Sequence, residues 1–229
     1  MNEAFVGQEQ PEVTMQLPEQ THFIAIDGVI GAGKTSLAQI LAKELRANLV
    51  LEQFEENPFL PKFYENPQAY AFQTQLFFLL SRVRQFQDAF VQNDLFLHHV
   101  VSDYAFEKDR IFALQNLSES EMAMYDTVSE VLSKELPTPD LIVYLQADVP
   151  TLMERIARRG RPMEKSIESG YLHELLKRYD HHFWHYEKAP VLIINTNRVD
   201  FVHNEKHLRL VLDAIAAAPT QTTYFAPEG

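Results

Sequence analysis

A glycine-rich segment followed by lysine and threonine is the part of this sequence that indicates chemistry most directly. It fits the pattern G-x-x-x-x-G-K-[ST] and reads Gly28-Val29-Ile30-Gly31-Ala32-Gly33-Lys34-Thr35. Backbone N–H groups in such a loop bind phosphate oxygens at the start of a helix, where the helix dipole favours anions. Lys34 can then reach the β- and γ-phosphates, and the Thr35 hydroxyl can ligate Mg²⁺. Together with the following Ser36, the segment predicts a binding site for a nucleoside triphosphate such as ATP.

The residues on both sides supply the secondary structure that such a loop requires. Residues 22–27 form a short apolar run that predicts a buried strand. After the loop, apolar residues recur at helical spacing, at Leu37, Ile40, Leu41 and Leu45. A glycine-rich strand-to-helix turn that binds nothing is the alternative, and the complete motif in this context argues against it.

A second group of residues suited to phosphate is the run of arginines at Arg155, Arg158, Arg159 and Arg161. Guanidinium groups stabilise the charge that spreads over a transferring phosphoryl group. Gly160 within the run and Pro162 directly after it indicate a turn. We interpret residues 159–169 as a mobile lid over the phosphates. The alternative is a solvated helix end, where the dipole also favours cations.

Two carboxylates end predicted strands. Glu52 closes the run of residues 48–52, and Asp103 closes the run of residues 99–103. If these strands lie beside the one that precedes the loop, their ends meet at the edge of a parallel sheet where ligands bind. Glu52 could then accept the proton of an attacking hydroxyl group. Taken alone, a strand-end glutamate is more often simply solvated.

Strand and helix patterns alternate along the rest of the chain. Further buried strands are predicted at residues 141–145 and 191–194, and the longest helical pattern covers residues 70–93. Ser118 and Glu121 have the spacing of a capping box, which predicts the start of another helix. This alternation predicts an α/β fold with a parallel sheet of about five strands and helices on both faces.

The composition limits the class and location of the protein. The chain has 229 residues, no cysteine and a formal net charge of −12. Thiolate catalysis and cysteine-based zinc sites are therefore excluded, and the negative charge argues against a nucleic-acid polymer as partner. The sequence has no secretory signal and no apolar run of about 20 residues, so we expect a cytoplasmic protein without a membrane partner. Residues 1–20 are polar and are expected to be disordered, and residues 219–229 form a C-terminal tail.

The residues alone leave two further sets of polar side chains undecided. Gln73 and Arg82 lie nine positions apart on the predicted long helix, so they do not share a face of an ideal helix. Gln73 is either a surface residue or an amide that faces a nucleobase. His181 and His185 have i, i+4 spacing, but zinc would need a third ligand and no zinc motif is present. We expect these histidines to be surface or half-buried residues.

Several short segments occur in an order and spacing that is informative as a set. They are the glycine-rich loop, Glu52, Asn57-Pro58-Phe59-Leu60, Phe72-Gln73-Thr74-Gln75, Ser81-Arg82, Tyr144-Leu145-Gln146-Ala147, Arg155-Ile156, Arg159-Gly160-Arg161 and Glu164. This set resembles the deoxynucleoside kinase family, and most closely its bacterial deoxyguanosine/deoxyadenosine kinase branch. The resemblance implies a kinase domain of the P-loop type over residues 21–218, with a five-stranded parallel sheet and an Arg-rich lid. It also implies a homodimer that uses ATP and Mg²⁺ to phosphorylate the 5′-hydroxyl of a deoxynucleoside, which we expect to be a purine one.

The resemblance further implies roles for single residues. On the acceptor side, the residues concerned look like a general base, a base-pairing amide, a stacking ring, an arginine near the base and two ligands of the 3′-hydroxyl: Glu52, Gln73, Phe72, Arg82, Tyr64 and Glu164. On the phosphate side, Lys34 and the lid residues Arg155, Arg159 and Arg161 look like the stabilisers of phosphate charge. Thr35 and Asp103 look like the residues that serve Mg²⁺.

One position departs from the pattern of the family. Many relatives carry an arginine directly after the acid that ends the third strand, where it contacts the 5′ oxygen and the phosphate. Here Tyr104 follows Asp103. Lys108 or Arg110 could supply the missing cation, but their spacing differs, so the sequence assigns neither.

Two other functions remain open at this point. A thymidylate-like nucleoside monophosphate kinase would share the loop, the sheet and the lid. It would need basic residues for the phosphate of its acceptor, whereas this sequence offers Glu52 and an amide-rich segment. A non-catalytic nucleotide-binding switch is the second alternative, although the Asn-Lys-x-Asp motif that is usual in GTPase switches is absent.

Overall fold

A parallel β-sheet forms the centre of the molecule. The computed structural model describes residues 15–91, 98–134 and 136–227. The strands are β1 (Phe23–Gly28), β2 (Asn48–Val50), β3 (Val100–Ser102), β4 (Leu141–Gln146), β5 (Val191–Asn195) and β6 (Thr223–Phe225). Their spatial order is β2-β3-β1-β4-β5-β6, and every neighbouring pair is parallel. This is the α/β architecture that the alternating pattern predicts.

The sheet has six strands, so the prediction of five is one short. The extra strand β6 comes from the predicted tail, and Tyr224 pairs in register with Ile193 of β5. Thr223 and Tyr224 are exposed at the edge of the sheet. Because this strand is short and exposed, it has no buried apolar run that a sequence pattern could detect.

Helices cover the sheet. They are α1 (Lys34–Leu45), α2 (Leu60–Glu65), α3 (Pro67–Val91), α4 (Glu107–Asn116), α5 (Glu119–Leu132), α6 (Val149–Arg159), α7 (Ser169–Trp184) and α8 (Glu205–Ala216). Strands β1, β4 and β5 are buried nearly throughout, which explains why they are continuous apolar runs. Leu37, Leu41 and Leu45 of α1 are buried in the same core, as their helical spacing predicts.

The ends of the helices follow local capping chemistry. Ser118 forms the predicted capping box with Glu121, whose carboxylate accepts from the Ser118 backbone N–H at 2.9 Å. Asp148 caps α6 by accepting from the backbone N–H of Thr151. Gly160 ends α6 in the left-handed conformation with φ 69°. This glycine turns the chain out of the helix in the middle of the arginine cluster.

The strand order brings three functional segments to one edge of the sheet. The chain leaves β1 for β2 and β3 on one side and continues to β4 on the other side, so the switch point lies at β1. Gly28 ends β1, Asp103 follows β3 directly, and Glu52 lies just beyond β2. In parallel sheets the crevice beyond the carboxyl ends at such a point is where ligands bind.

Three further predictions concern the N-terminal segment, a membrane span and a metal site at the histidines. Residues 1–14 of the expected disordered segment lie outside the described residues, while Met15 and Leu17 pack against the core. Within residues 15–91, 98–134 and 136–227, no helix is both long and apolar enough to cross a membrane. In the same ranges no cluster of three or more His, Asp or Glu side chains is placed to hold a metal, so His181 and His185 gain no third ligand.

Candidate active site

The glycine-rich loop forms a tight cradle between β1 and α1. Gly28 has φ 153° and Gly33 has φ 99°, values that L side chains rarely adopt. A Cβ atom at Gly28 would lie 2.5 Å from the carbonyl oxygen of Leu145. The Lys34 ammonium folds back over the loop and donates to the carbonyl oxygens of Gly28 at 2.9 Å and Val29 at 3.2 Å. The loop therefore has the shape, and the lysine the position, that phosphate binding requires.

Burial changes the acid–base properties of this lysine. Burial, together with the nearby charge of Lys108, lowers the pKa of Lys34 to about 8. The carboxylates of Asp27 and Glu52 act in the opposite direction but do not outweigh it. Lys34 is thus largely charged at neutral pH and loses that charge in mildly alkaline solution.

Hydroxyl and carboxylate oxygens meet at the start of α1. The Thr35 hydroxyl donates to Asp103 Oδ2 at 2.6 Å, and Asp103 Oδ1 accepts from the backbone N–H of Glu52 at 2.8 Å. A threonine hydroxyl and one carboxylate beside a phosphate loop are a donor set that suits Mg²⁺, which keeps several waters and phosphate oxygens as its other ligands. The side chains of Thr35 and Asp103 therefore fit the predicted magnesium role.

The Glu52 carboxylate lies between two cations. Its Oε1 accepts from the Arg82 guanidinium, with Nε at 3.2 Å, and its Oε2 accepts from the Lys108 ammonium. Burial raises the pKa of Glu52, but the charges of Lys108 and Arg82 outweigh burial and hold the pKa below its ordinary value. Glu52 is therefore an ionised carboxylate throughout the physiological pH range.

A cavity extends from the phosphate loop past Glu52 to helix α3. At its far end Arg82 forms a buried ion pair with Asp109, which also accepts from the Tyr125 hydroxyl at 2.6 Å. Gln75 lines the same region, and its side-chain Nε2 is buried with no hydrogen-bond partner among the described residues. Buried polar atoms are seldom left unpaired in native proteins, so this amide is suited to bind a ligand. The ring of Phe78 lies against the guanidinium of Arg82, 4.8 Å from ring centre to Cζ.

The opposite wall of the cavity comes from α2 and the lid. Glu164 lies in the 3₁₀ turn Pro162–Ser166 and accepts from Arg159 Nη2 at 2.6 Å and from Arg161 Nη1 at 3.4 Å. Tyr64 lines the cavity beside it, and burial raises the pKa of the Tyr64 hydroxyl. This wall presents a hydroxyl group and a carboxylate close together, which is a pairing that can bind a sugar hydroxyl.

A second cleft lies on the other side of the phosphate loop. It is lined by Gly33, Ser36 and Arg158, among others, and by the loop that carries Phe201. Arg155 borders this cleft and is held there by bonds to Thr196, with Nη2 at 2.7 Å from the carbonyl oxygen. The two clefts meet, because both are lined by Lys34, Thr35, Arg159 and Arg161.

The structure brings most of the predicted acceptor residues together but corrects two. Glu52, Tyr64, Arg82, Asp103 and Glu164 all line the cavity. Gln73 is exposed and does not line it, and Phe72 packs instead in a separate apolar cluster with Leu79 and Tyr125. The reason is the rotation of α3 about its axis, which turns Phe72 and Gln73 away from the cavity.

The position predicted for Gln73 is occupied by Gln75. Gln75 and Arg82 lie seven positions apart on α3, which is close to two full turns, so both side chains face the cavity. Asp109, which pairs with Arg82, is a further residue of this region that no sequence pattern indicates. Its proximity to Arg82 depends on how α4 packs against α3, for which no sequence pattern gives a signal.

A phosphate loop, a switch-point carboxylate and two clefts that meet at basic residues define a P-loop phosphotransferase. The sequence profile described as Deoxynucleoside kinase matches residues 24–218. The chain therefore belongs to the deoxynucleoside kinase family, as the resemblance indicated.

Individual relatives agree with this assignment. The chain is 40% identical over 190 residues to the deoxyguanosine kinase of Bacillus subtilis (strain 168). This match covers 80% of this chain and 90% of that relative. It is 32% identical over 206 residues to the deoxyguanosine kinase of Lactobacillus acidophilus, with 84% and 88% covered. The deoxyadenosine kinase of M. mycoides with bound dCTP superposes with a TM-score of 0.72 at 23% identity, over 85% of this chain and 99% of that one. The last comparison supports the fold alone.

Proposed function

We propose that this protein transfers the γ-phosphoryl group of ATP to the 5′-hydroxyl of a purine deoxynucleoside. The observation that carries the proposal is the meeting of two clefts at Lys34, Thr35, Arg159 and Arg161. One cleft contains the phosphate loop and takes the donor, and the other contains Glu52 and takes the acceptor. Direct transfer requires both substrates to be held in line at such a junction.

On the donor side, the backbone of residues 28–36 would bind the phosphates of ATP, with Lys34 on the β- and γ-phosphates. Thr35 and Asp103 would hold Mg²⁺, which neutralises phosphate charge when it is bound. Arg155, Arg159 and Arg161 would add positive charge around the transferring group. Closure of the segment 159–169 over the site would exclude water and so prevent hydrolysis of ATP.

On the acceptor side, Glu52 would orient the 5′-hydroxyl and accept its proton. A carboxylate with a low pKa is a weak base, but phosphoryl transfer needs little proton removal before the transition state. A pre-ionised carboxylate that is fixed by two cations suits that task. Tyr64 and Glu164 would bind the 3′-hydroxyl of the deoxyribose.

At the far end of the cavity, Gln75 would recognise the base. The Gln75 amide offers one donor group and one acceptor. Asp109 is fully buried and does not line the cavity, so its carboxylate would instead hold Arg82 in position. Arg82 links Asp109 to Glu52 because its guanidinium binds both carboxylates. The preference for purines is supported by relatives that are named deoxyguanosine kinases.

The same geometry speaks against a monophosphate as acceptor. Two cations lie beside Glu52. Arg82 is paired with Glu52 and Asp109, and Lys108 is paired with Glu52. A second phosphate group at this place would meet carboxylates whose charge repels it. We further propose a homodimer and a cytoplasmic location, which rest on the resemblance to the family and on the composition.

The test is a reaction of the protein with ATP, Mg²⁺ and each of the four deoxynucleosides, followed by identification of the products. The proposal expects 5′-monophosphates of deoxyguanosine or deoxyadenosine and no product from the 2′,5′-dideoxy analogue of the preferred substrate. Binding of ATP without transfer to any deoxynucleoside would overturn it in favour of a nucleotide-binding switch.

A further inference from the structure

The residue after Asp103 does not supply the acceptor side with a cation. Tyr104 is fully buried, and its hydroxyl donates to the side chain of Gln85 at 2.8 Å. Its ring packs on Phe86 with centroids 4.9 Å apart. The side chain is therefore committed to the packing between β3 and α3 and is not a group that could contact a phosphate.

Arg110 does not supply a cation to the acceptor side either. Its guanidinium forms an ion pair with Asp126 at 3.2 Å, and both side chains are about half exposed. This pair lies between α4 and α5 on the surface of the molecule, and Arg110 does not line the acceptor cavity. Of the two cations that the sequence offered, Arg110 is thus excluded by its position.

Lys108 does reach the required place. It lies in the first turn of α4 with only 6% of its surface exposed, and it lines the acceptor cavity together with Glu52 and Lys34. Its ammonium donates to Glu52 Oε2, the oxygen that Arg82 does not bind. An ammonium has three donors, and within the described part of the chain Lys108 uses one of them, so two remain for a ligand.

We propose that Lys108 is a catalytic residue on the acceptor side of the reaction. This role rests on the proposed kinase function. One N–H of its ammonium holds the Glu52 carboxylate in place, and the others donate to the attacking 5′-oxygen and to the transferring phosphoryl group. In the step, a bond forms between the 5′-oxygen and the γ-phosphorus, and the bond from that phosphorus to the β,γ-bridging oxygen breaks. The 5′-hydroxyl proton passes to Glu52, ADP leaves, and Lys108 keeps its charge throughout.

A merely structural role would have a different consequence. If Lys108 served only to neutralise Glu52 in the fold, its loss would lower stability and substrate affinity, while bound substrates would still react. A contact with the reacting oxygen instead affects turnover, because the interaction is strongest in the transition state.

The test compares Lys108→Met with Lys108→Arg and with the control Arg110→Met. We expect Lys108→Met to lower kcat by about 100-fold or more, as loss of a charge-stabilising donor typically does. Its dissociation constants for ATP and for the deoxynucleoside, measured by calorimetry, should stay within about threefold of the wild type. Lys108→Arg should recover kcat to within about tenfold, since the cation returns with altered geometry, and Arg110→Met should behave as wild type.

Three outcomes would overturn the inference. They are a kcat of Lys108→Met within about threefold of the wild type, a loss of deoxynucleoside affinity that accounts for the loss of activity, and no recovery in Lys108→Arg. If Lys108→Met does not fold, Lys108→Gln replaces it, because its amide can still hydrogen-bond to Glu52 without the charge. A wild-type protein that phosphorylates no deoxynucleoside overturns the proposed function itself, whereas an active wild type with active Lys108 variants overturns only the role of Lys108.

Discussion

The backbone N–H of Glu52 donates to Asp103 Oδ1 at 2.8 Å, while the other oxygen of Asp103 accepts from the Thr35 hydroxyl. This carboxylate therefore connects the end of β2 to the start of α1. The proposed acceptor base and the proposed metal ligands are held in one hydrogen-bonded unit. Movement of either group would have to break a partly buried bond to a charged atom, which costs more than a neutral hydrogen bond.

Replacement of Glu52 by glutamine tests the proposed base. Glu52→Gln keeps the size of the side chain and its backbone bond to Asp103 but removes the proton acceptor. We expect kcat to fall by more than about 100-fold, with the dissociation constant for ATP within about threefold of the wild type. Steady-state kinetics and calorimetry give both values. Unchanged turnover would exclude Glu52 as the base.

The matched pair Gln75→Ala and Gln73→Ala tests which amide faces the nucleobase. Gln75 lines the cavity with a buried amide nitrogen that has no partner among the described residues, whereas Gln73 is exposed. Loss of one hydrogen bond to the base should lower kcat/KM for the deoxynucleoside by roughly ten- to hundredfold in Gln75→Ala. Gln73→Ala should leave it unchanged. An effect of the reverse order would show that the base binds elsewhere.

The affinity for ATP should depend on pH through Lys34. Because its pKa is lowered to about 8, the lysine of the free protein loses its proton above that pH, while bound phosphate favours the charged form. The dissociation constant for ATP should therefore be nearly constant below pH 8 and rise by up to about tenfold per pH unit above it. Calorimetry from pH 6.5 to 9.5 measures this. Lys34→Met should bind ATP weakly and show no such rise; a flat profile in the wild type would contradict the assignment.

Replacement of Gly28 and of Gly170 by alanine should change the stability of the protein in opposite directions. A Cβ at Gly28 would lie 2.5 Å from the carbonyl oxygen of Leu145 at a positive φ, so Gly28→Ala should lower the free energy of unfolding by roughly 1–3 kcal/mol. Gly170 lies in α7, and a Cβ added there would meet no atom within 4 Å. Gly170→Ala should therefore raise the free energy of unfolding by roughly 0.5–1 kcal/mol. Urea denaturation measures both changes. A neutral Gly28→Ala would mean that the loop is less tightly packed than its contacts indicate.

The sequence predicted the elements that have a local signal. The phosphate loop, the first five strands and the capping box at Ser118 are all visible as short motifs or buried apolar runs. The edge strand β6 was missed because its residues are exposed and few. Glu52 and Asp103 could be predicted because Asp103 follows directly on β3 and Glu52 lies just beyond β2, and the ends of these strands meet in a parallel sheet.

The acceptor cavity could be predicted only in part, because it depends on how helices pack. The seven-residue spacing of Gln75 and Arg82 places both on one face of α3 and so favours Gln75 over Gln73, but only the packing of α3 shows that this face lines the cavity. The choice between Lys108 and Arg110 requires the rotation of α4, which directs Lys108 to Glu52 and Arg110 to Asp126. Residues two positions apart on a helix point about 200° apart, so a small error in register exchanges a cavity residue for a surface residue.

The most direct test of the central claim is a comparison of acceptors under identical conditions. The purified protein, ATP and Mg²⁺ are combined with deoxyguanosine, deoxyadenosine and the corresponding 5′-monophosphates, and kcat/KM is measured for each. We expect kcat/KM for the better of the two nucleosides to exceed that for both monophosphates by more than about 100-fold, because carboxylates line the acceptor cavity and repel a second phosphate. Preferential transfer to a monophosphate would contradict it.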